Sequence, residues 1–316
     1  MALKDRILQK FSNHTGEYFS GEELAEEYRV SRAAVWKAVR ALKSEGYDID
    51  SRQSRGYCFT DRNDFLREEI IRSAAPEIKY PLYVLDEVDS TNNYAKILCA
   101  KNAPHGTLVA ANHQTAGRGR RGHSFYSPGN AGLYMSLIID PAGIKNLSWI
   151  TPAAAVAAIE AIEETTGIHP KIKWVNDLFV DSRKVAGILT EAITDFESGT
   201  VDRIIIGIGI NCRKSDFPEE IRDTAGYLPA EHISRSLLAA ALWRKLLERC
   251  TNPDDPSVKE AYRRDSLVLG REVSYTVSGI TYSGTVREIN DAGNIVIEKP
   301  DGSVEILQSG EISVRL

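Results

Sequence analysis

Leu3, Ile7, Leu8 and Phe11 recur at helical spacing and predict an opening helix. Ser20 then offers a cap, and Glu23 sits three residues on, as a capping box requires; Leu24 and Ala25 face inward. Tyr28-Arg29-Val30 interrupts the pattern, and Ser31 caps the next helix, which runs to about Ser44. Val35, Val39 and Leu42 form its buried stripe, and Ala34 and Ala38 allow close packing. Two short helices joined by a tight turn make a helix-turn-helix pattern. Residues 47–50 and 56–59 read as two strands, with 51–55 as the tip of a hairpin, or wing.

Phe65, Ile70 and Ile71 predict a short amphipathic helix in a charge-dense link, and Pro76 and Pro81 bracket the entry to the next segment. Strands and helices then mix. Strands are expected at 82–85, 106–112, 133–139, 172–175 and 201–211, with a hairpin over 178–189. Helices are expected at 93–101, at the alanine-rich run 150–166 closed by Gly167, and at 233–250, where Leu237, Leu238, Ala241, Leu242 and Leu246 face inward. From 266 onward five short strands (272–277, 281–290, 294–299, 304–307, 312–316) alternate with turn signals at 291–294 and 300–303, which suggests a small SH3-like β-barrel. The expected fold is α+β and multidomain: a winged helix-turn-helix at 1–62, a linker at 63–80, an α/β core with a mixed sheet at 81–265, and the SH3-like domain at 266–316.

The chain has 316 residues, ample for two or three domains. Its 39 Lys and Arg against 44 Asp and Glu give a net charge of −5, so any contact with DNA must come from a local patch. The helix 31–44 supplies one, with Arg32, Lys37 and Arg40, and the hairpin tip adds Arg52 and Arg55. These residues and Ser31 are the expected DNA-facing set; a protein-interaction module with solvated charges is the alternative. Cys58, Cys99, Cys212 and Cys250 show no CxxC, which argues for reduced thiols in a cytoplasm rather than a disulfide frame or zinc site. No HxxxH or HxH spacing suggests a metal centre, no signal peptide opens the chain, and no apolar run approaches the roughly 20 residues that span a bilayer.

The segment Gly117-Arg118-Gly119-Arg120-Arg121-Gly122 places three arginines among three glycines. Such a stretch is either a solvated turn or a cationic loop able to close over an anion. Ser90-Thr91-Asn92 at a helix start offers hydroxyls and an amide, or simple capping. Gln114 suits a neutral heterocycle or a strand-end surface position; His113 and His123 read as surface residues without an acid–base partner. Asn176-Asp177 is ordinary turn chemistry or, with Lys173, a place for phosphates and a hard cation. Lys184 either snorkels to solvent or points into a site. Gly207 and Gly209 do not complete a GxGxxG, and no GxxxxGK[ST] occurs.

Thr115 to Gly122 resembles the biotinyl-adenylate loop of biotin–protein ligases. Lys173-Trp174-Val175-Asn176-Asp177, Lys184-Val185-Ala186-Gly187-Ile188-Leu189 and Gly207-Ile208-Gly209-Ile210-Asn211 resemble that family's other signatures, in its order. One departure is Val175, where the family usually has proline; it loosens the backbone but removes no functional group. The N-terminus resembles the winged helix of the members that also repress the biotin operon.

The resemblance implies a core like that of class II aminoacyl-tRNA synthetases and a two-step reaction. Biotin and ATP give biotinyl-5′-AMP and pyrophosphate, then a lysine of the biotin carboxyl carrier protein of acetyl-CoA carboxylase attacks the adenylate. It implies Lys184, Arg118 and Arg120 as catalytic. Biotin would meet Ser90, Thr91, Asn92, Gln114, Arg118, Gly119, Arg120 and Lys184. ATP would meet Arg118, Arg120, Arg121, Phe125, Lys173, Asn176, Asp177 and Asn211, with Mg²⁺ at Asp177. It also implies a corepressor role for the adenylate, which would favour a homodimer that binds operator DNA. No protein nucleophile is needed, in keeping with the lack of a Ser/His/Asp or Cys/His arrangement. The rivals are a biotin-sensing transcription factor without ligase activity, a lipoate–protein ligase, and a ligase whose N-terminal domain is only structural.

Overall fold

The computed structural model describes residues 3–314 except 15, 45–46, 61–63, 65, 196, 278 and 309–311. The expected boundary at 62/63, Phe65 of the linker helix and the end of the last strand at Leu316 lie outside the described residues. The chain forms two compact units, one made of Met1–Phe65 with Gly129–Ala131, the other of Leu66–Pro128 with Gly132–Leu316.

The first unit contains α1 (Leu3–Asn13), β1 (Tyr18–Phe19), α2 (Gly21–Tyr28), α3 (Arg32–Ser44), β2 (Ile49–Arg52) and β3 (Gly56–Phe59). Its core joins Ile7, Phe11, Leu24, Val35, Val39, Leu42, Ile49 and Phe59. The capping box is formed: Glu23 N–H donates to Ser20 Oγ, and Ser20 N–H to Glu23 Oε2. Arg29 takes a left-handed conformation (φ 54°) that ends α2 before Ser31 caps α3. Lys43 Nζ donates to Ser51 Oγ at 2.8 Å, which ties α3 to the hairpin.

The second unit opens with α4 (Glu68–Ala74), β4 (Leu82–Val88), α5 (Thr91–Cys99), β5 (Leu108–Gln114) and β6 (Gly132–Ile139). It continues with α6 (Ile150–Thr166), β7 (Lys171–Lys173), β8 (Asp177–Val180), β9 (Arg183–Thr194), β10 (Val201–Asn211), α7 (Arg235–Cys250) and α8 (Pro256–Arg264). Seven strands form one sheet in the order β4-β5-β6-β10-β9-β8-β7. It is mixed: β4 and β5 run parallel and every other neighbouring pair runs antiparallel.

Both faces of the central strands are covered, which is why β6 and β10 read as continuous apolar runs rather than alternating ones. Leu137, Ile139, Ile204 and Ile206 belong to the cluster that holds α6 and α7. Ile138 and Ile205, one residue out of step, pack with Ala95, Leu98 and Cys99 of α5.

Some expectations need correction. Ile70 and Leu237 are exposed, because Ile71 and Leu238 occupy the inward positions one residue on. Helix α8 adds to the expected elements, and Asp255 before Pro256 is its start signal: Asp255 Oδ1 accepts from Ser257 N–H, and proline at the first turn loses no helical hydrogen bond. The chain ends in β11 (Glu272–Val277), β12 (Ile280–Ile289), β13 (Ile295–Glu298), β14 (Val304–Leu307) and β15 (Ile312–Val314). These form an antiparallel sheet in the order β14-β13-β12-β11-β15, and among the described residues the two end strands do not close on each other. The turn after β12 docks on the core. Trp149 Nε1 donates to Asp291 O at 2.7 Å, and Trp174 Nε1 donates to Gly293 O at 3.0 Å.

Candidate functional site

The arginine loop is folded back over the sheet. Gly119 N–H donates to His123 O at 2.7 Å and Phe125 N–H to Gly117 O at 2.9 Å, so its two arms pair around a short 3₁₀ turn at Arg120–Gly122. A Cβ on Gly117 would lie 2.3 Å from Phe125 O and 2.5 Å from Ser127 Oγ, so only glycine lets the arms approach this closely. Arg118, Gly119 and Arg120 line a pocket together with Ser90, Thr91, Asn92, Gln114, Phe125, Asn176, Lys184 and the backbone of residues 187–189 and 207–209.

A locked polar network forms one wall. Thr91 N–H and Oγ1 both donate to Gln114 Oε1, and Gln114 Nε2 donates to Ser127 Oγ at 2.9 Å. Ser136 Oγ lies 2.8 Å from Thr91 Oγ1 and 2.6 Å from Asn92 Oδ1, while Asn92 Nδ2 donates to Glu191 Oε2 at 2.8 Å. Gln114 is therefore not a surface amide. Ser90 is buried and makes no side-chain cap bond, so capping does not explain it. The glycines of β9 and β10 make room for these side chains. A Cβ on Gly207 would meet Asn92 Oδ1 at 2.1 Å, and one on Gly209 would meet the Phe125 ring at 2.4 Å.

A second chain of contacts crosses the pocket. Arg120 Nη1 donates to Asn176 Oδ1 at 3.0 Å, and Asn176 Nδ2 donates to Asp177 Oδ1 at 3.0 Å. Lys184 Nζ lies 2.7 Å from the same Asp177 oxygen. Lys184 therefore points into the site and does not snorkel away. Arg118 donates to Asn93 Oδ1 at 2.8 Å and lies 3.3 Å from Glu191, which also pairs with Lys96 at 2.8 Å. Burial works against ionisation of Glu191, but hydrogen bonds from Lys96 and Asn92, with the Arg118 charge, outweigh it and lower its pKa.

Three expected residues stand apart from this pocket. Lys173 lies 5.6 Å from the Phe179 ring centroid. Arg121 is exposed, in a left-handed conformation (φ 53°). Asn211 Nδ2 donates to Gly226 O at 2.8 Å, and Leu228 N–H to Asn211 O at 2.9 Å, so Asn211 pins the 226–228 segment. His113 does have an acidic partner, against expectation: its Nδ1 lies 2.9 Å from Glu87 Oε2, because β4 and β5 run side by side. Sequence reasoning missed Ser127, Ser136, Asn93 and Glu191. For Glu191 a signal existed, a carboxylate set in the largely apolar strand β9.

In the first unit, Arg32, Lys37 and Arg40 lie on the exposed face of α3. Ser31 Oγ accepts from Ala34 N–H at 3.2 Å. The guanidinium groups of Arg52 and Arg55 lie 5.5 and 5.6 Å from the Tyr18 ring centroid, and Arg52 also pairs with Asp50 at 2.8 Å.

Family models match three parts of the chain. The HTH domain covers residues 4–58, the biotin/lipoate A/B protein ligase family covers 84–211, and the biotin protein ligase C terminal domain covers 268–315. The bifunctional ligase/repressor BirA of Bacillus subtilis (strain 168) is 32% identical over 316 residues, covering 96% of this chain and 96% of that protein. The chain belongs to the BirA family. The BirA protein of Escherichia coli K12 is 29% identical over 310 residues, covering 95% of this chain and 94% of that one. Among solved structures, the biotin protein ligase from Aquifex aeolicus in complex with biotin and ATP is 30% identical. Its TM-score is 0.64, and the match covers 75% of this chain and 99% of that chain. These matches agree with a BirA architecture of N-terminal helix-turn-helix, central ligase fold with a mixed sheet, and C-terminal antiparallel sheet.

Proposed function

We propose that the chain is an ATP-dependent biotin–protein ligase and a repressor of biotin synthesis genes. It forms biotinyl-5′-AMP from biotin and ATP, then passes biotin to a lysine of the biotin carboxyl carrier protein of acetyl-CoA carboxylase. The observation that carries this reading is the chain Arg120–Asn176–Asp177–Lys184, which brings the arginine loop and a lysine to one pocket.

Joining a carboxylate to the α-phosphate of ATP brings two anions together, and fixed cations offset the repulsion as charge moves to the leaving pyrophosphate. Lys184 sits between the biotin carboxylate and the reacting phosphate. Arg118 and Arg120 hold the phosphate from the loop side, and Gly119 allows the backbone to approach. Ser90, Thr91 and Gln114, with Asn92 behind them, form the polar wall for the ureido group. The folded loop excludes water from the mixed anhydride until the acceptor lysine arrives. Phe125 packs over Gly209 and Gly187 as an apolar floor. Arg121 and Lys173 serve the triphosphate side at longer range, while Asn211 holds the 226–228 segment.

Asp177, whose Oδ1 already meets Lys184 and Asn176, would be the protein carboxylate that holds Mg²⁺, since Mg²⁺ keeps several waters and needs only one or two carboxylates. There it would neutralise charge on the leaving group. Among the described residues no cluster of three or more His, Cys, Asp or Glu forms a dedicated metal cage.

The division of labour follows the segments. Residues 1–62 bind operator DNA through Ser31, Arg32, Lys37, Arg40, Arg52 and Arg55; 63–80 link; 81–265 catalyse, on a core like that of class II synthetases. Residues 266–316 form an SH3-like module. The adenylate acts as corepressor by favouring a homodimer, and a ligand that favours the dimer must also favour its DNA complex. The work is assigned to the cytoplasm on the four buried cysteines, none of them in a disulfide. No described helix is long and apolar enough to cross a membrane.

Pyrophosphate release from biotin and ATP, with Lys184→Ala as control, tests the ligase. Equal turnover of lipoate would replace it with a lipoate ligase, and no turnover with a biotin-sensing transcription factor. An operator shift dependent on biotin and ATP tests the repressor.

A further inference from the structure

The chain has four tryptophans. Trp149, Trp174 and Trp243 are 0, 3 and 0% exposed, whereas Trp36 is 50% exposed. Trp36 lies in mid-α3, with Arg32 four residues before it and Arg40 four after, so the three share one line along the helix surface. The Arg40 guanidinium lies 5.3 Å from the indole centroid, close enough for a cation–π contact that orients both groups. Ala33 and Lys37 flank the line on the same exposed face, and α3 contains no acidic residue.

A neutral indole brings no charge to phosphate binding, which an arginine or lysine at 36 would serve better. What it offers is apolar area and a single N–H donor. Those features suit the floor of the major groove, where the thymine 5-methyl group is the one apolar mark among hydrogen-bonding edges. The groove, about 12 Å wide, also admits an α-helix of roughly 10–12 Å diameter. The geometry points to Trp36 as a sequence-reading residue that packs its indole on thymine methyl groups, held in place by Arg40, while Arg32 and Lys37 take the backbone phosphates. This rests on the repressor reading and adds to it a base class that the helix selects.

The test uses the full chain with biotin and ATP and a duplex carrying the promoter of its own biotin synthesis genes, beside an unrelated duplex. Trp36→Ala is expected to lower promoter affinity about tenfold. Its affinity for the unrelated duplex and its salt dependence stay unchanged, since these follow phosphate contacts. Trp36→Phe keeps part of the preference. Replacing groove thymidines by deoxyuridine, which lacks the 5-methyl group, weakens wild type about fourfold at a contacted base and leaves Trp36→Ala unaffected. Iodide quenches wild-type emission through Trp36, and the promoter duplex suppresses that quenching. Circular dichroism melting verifies that both variants fold. Equal promoter affinity for Trp36→Ala and wild type, an equal loss on both duplexes, or an equal deoxyuridine effect in both proteins overturns the role of Trp36 alone. Failure of wild type to prefer the promoter overturns the repressor reading and this role with it.

Discussion

Lys184 Nζ and Asp177 Oδ1 lie 2.7 Å apart on adjacent strands, and Asp177 is in turn tied through Asn176 to Arg120 of the loop. The pair fixes where the lysine charge sits before any anion arrives. Lys184→Ala should therefore slow adenylate formation by roughly 10²- to 10³-fold, with a much smaller effect on biotin affinity. Single-turnover pyrophosphate release beside a biotin titration separates the two; an unchanged rate would remove Lys184 from the chemistry.

Gly209 faces the ring of Phe125, where a Cβ would sit only 2.4 Å from it. Gly209→Ala should displace that ring and cost about 1–3 kcal/mol of stability. Because Phe125 lines the pocket, biotin binding should weaken in parallel. Urea unfolding and biotin titration of the same preparation check both; a variant as stable and as tight as wild type would mean that the ring moves freely.

The two docking tryptophans give a third prediction. Trp149→Phe keeps an aromatic body but leaves Asp291 O without its indole donor. A loss of about 0.5–1.5 kcal/mol is expected, the net worth of one hydrogen bond, since Asp291 is exposed and water can reach its carbonyl. Equilibrium unfolding in urea measures it, and the double variant with Trp174→Phe, which frees Gly293 O in the same turn, should lose more than either alone.

His169 bridges two carboxylates, with Nδ1 2.8 Å from Glu163 and Nε2 2.8 Å from the buried Asp265. Burial works against its charge, but the two hydrogen bonds and carboxylate charges outweigh it and raise the pKa. A raised folded-state pKa stabilises the fold fully below the unfolded value, about pH 6.5, and that contribution disappears as pH rises through the folded-state value. Burial alone would raise the Asp265 pKa, but bonds from Arg264, Lys171 and His169 depress it strongly. Its contribution is therefore present above about pH 3.9 and fades as pH falls below that. The stability gap between wild type and His169→Gln should be widest near pH 5 to 6 and close toward alkaline pH. Urea midpoints at stepped pH test this; a gap that widens with pH would reverse the sign.

Local periodicity made much of this protein legible. The capping box at Ser20 and Glu23, the basic face of α3 and the apolar runs of β6 and β10 all follow from residues a few positions apart. The capping bonds close within one helical turn, and the basic face and the apolar runs follow each segment's own period, so the sequence carries their geometry. The loop 117–122 and Lys184 could likewise be singled out, because an arginine–glycine cluster and a lysine opening an apolar strand are local anomalies. Helix α8 is equally local, with Asp255-Pro256 as its start signal.

What tertiary structure alone decided is which of these anomalies meet. Arg120 and Asn176 are 56 positions apart, and Glu191 reaches Asn92 across 99. Those contacts depend on the strand order β4-β5-β6-β10-β9-β8-β7, which no periodicity encodes. The same packing turned Lys173 onto Phe179, spent Asn211 on the backbone of Gly226 and gave His113 a partner in Glu87. A sequence states which groups a chain owns and how each short segment coils. Pairing between distant groups is set by the burial of the whole sheet, in which each side chain's direction follows from its neighbours' registers.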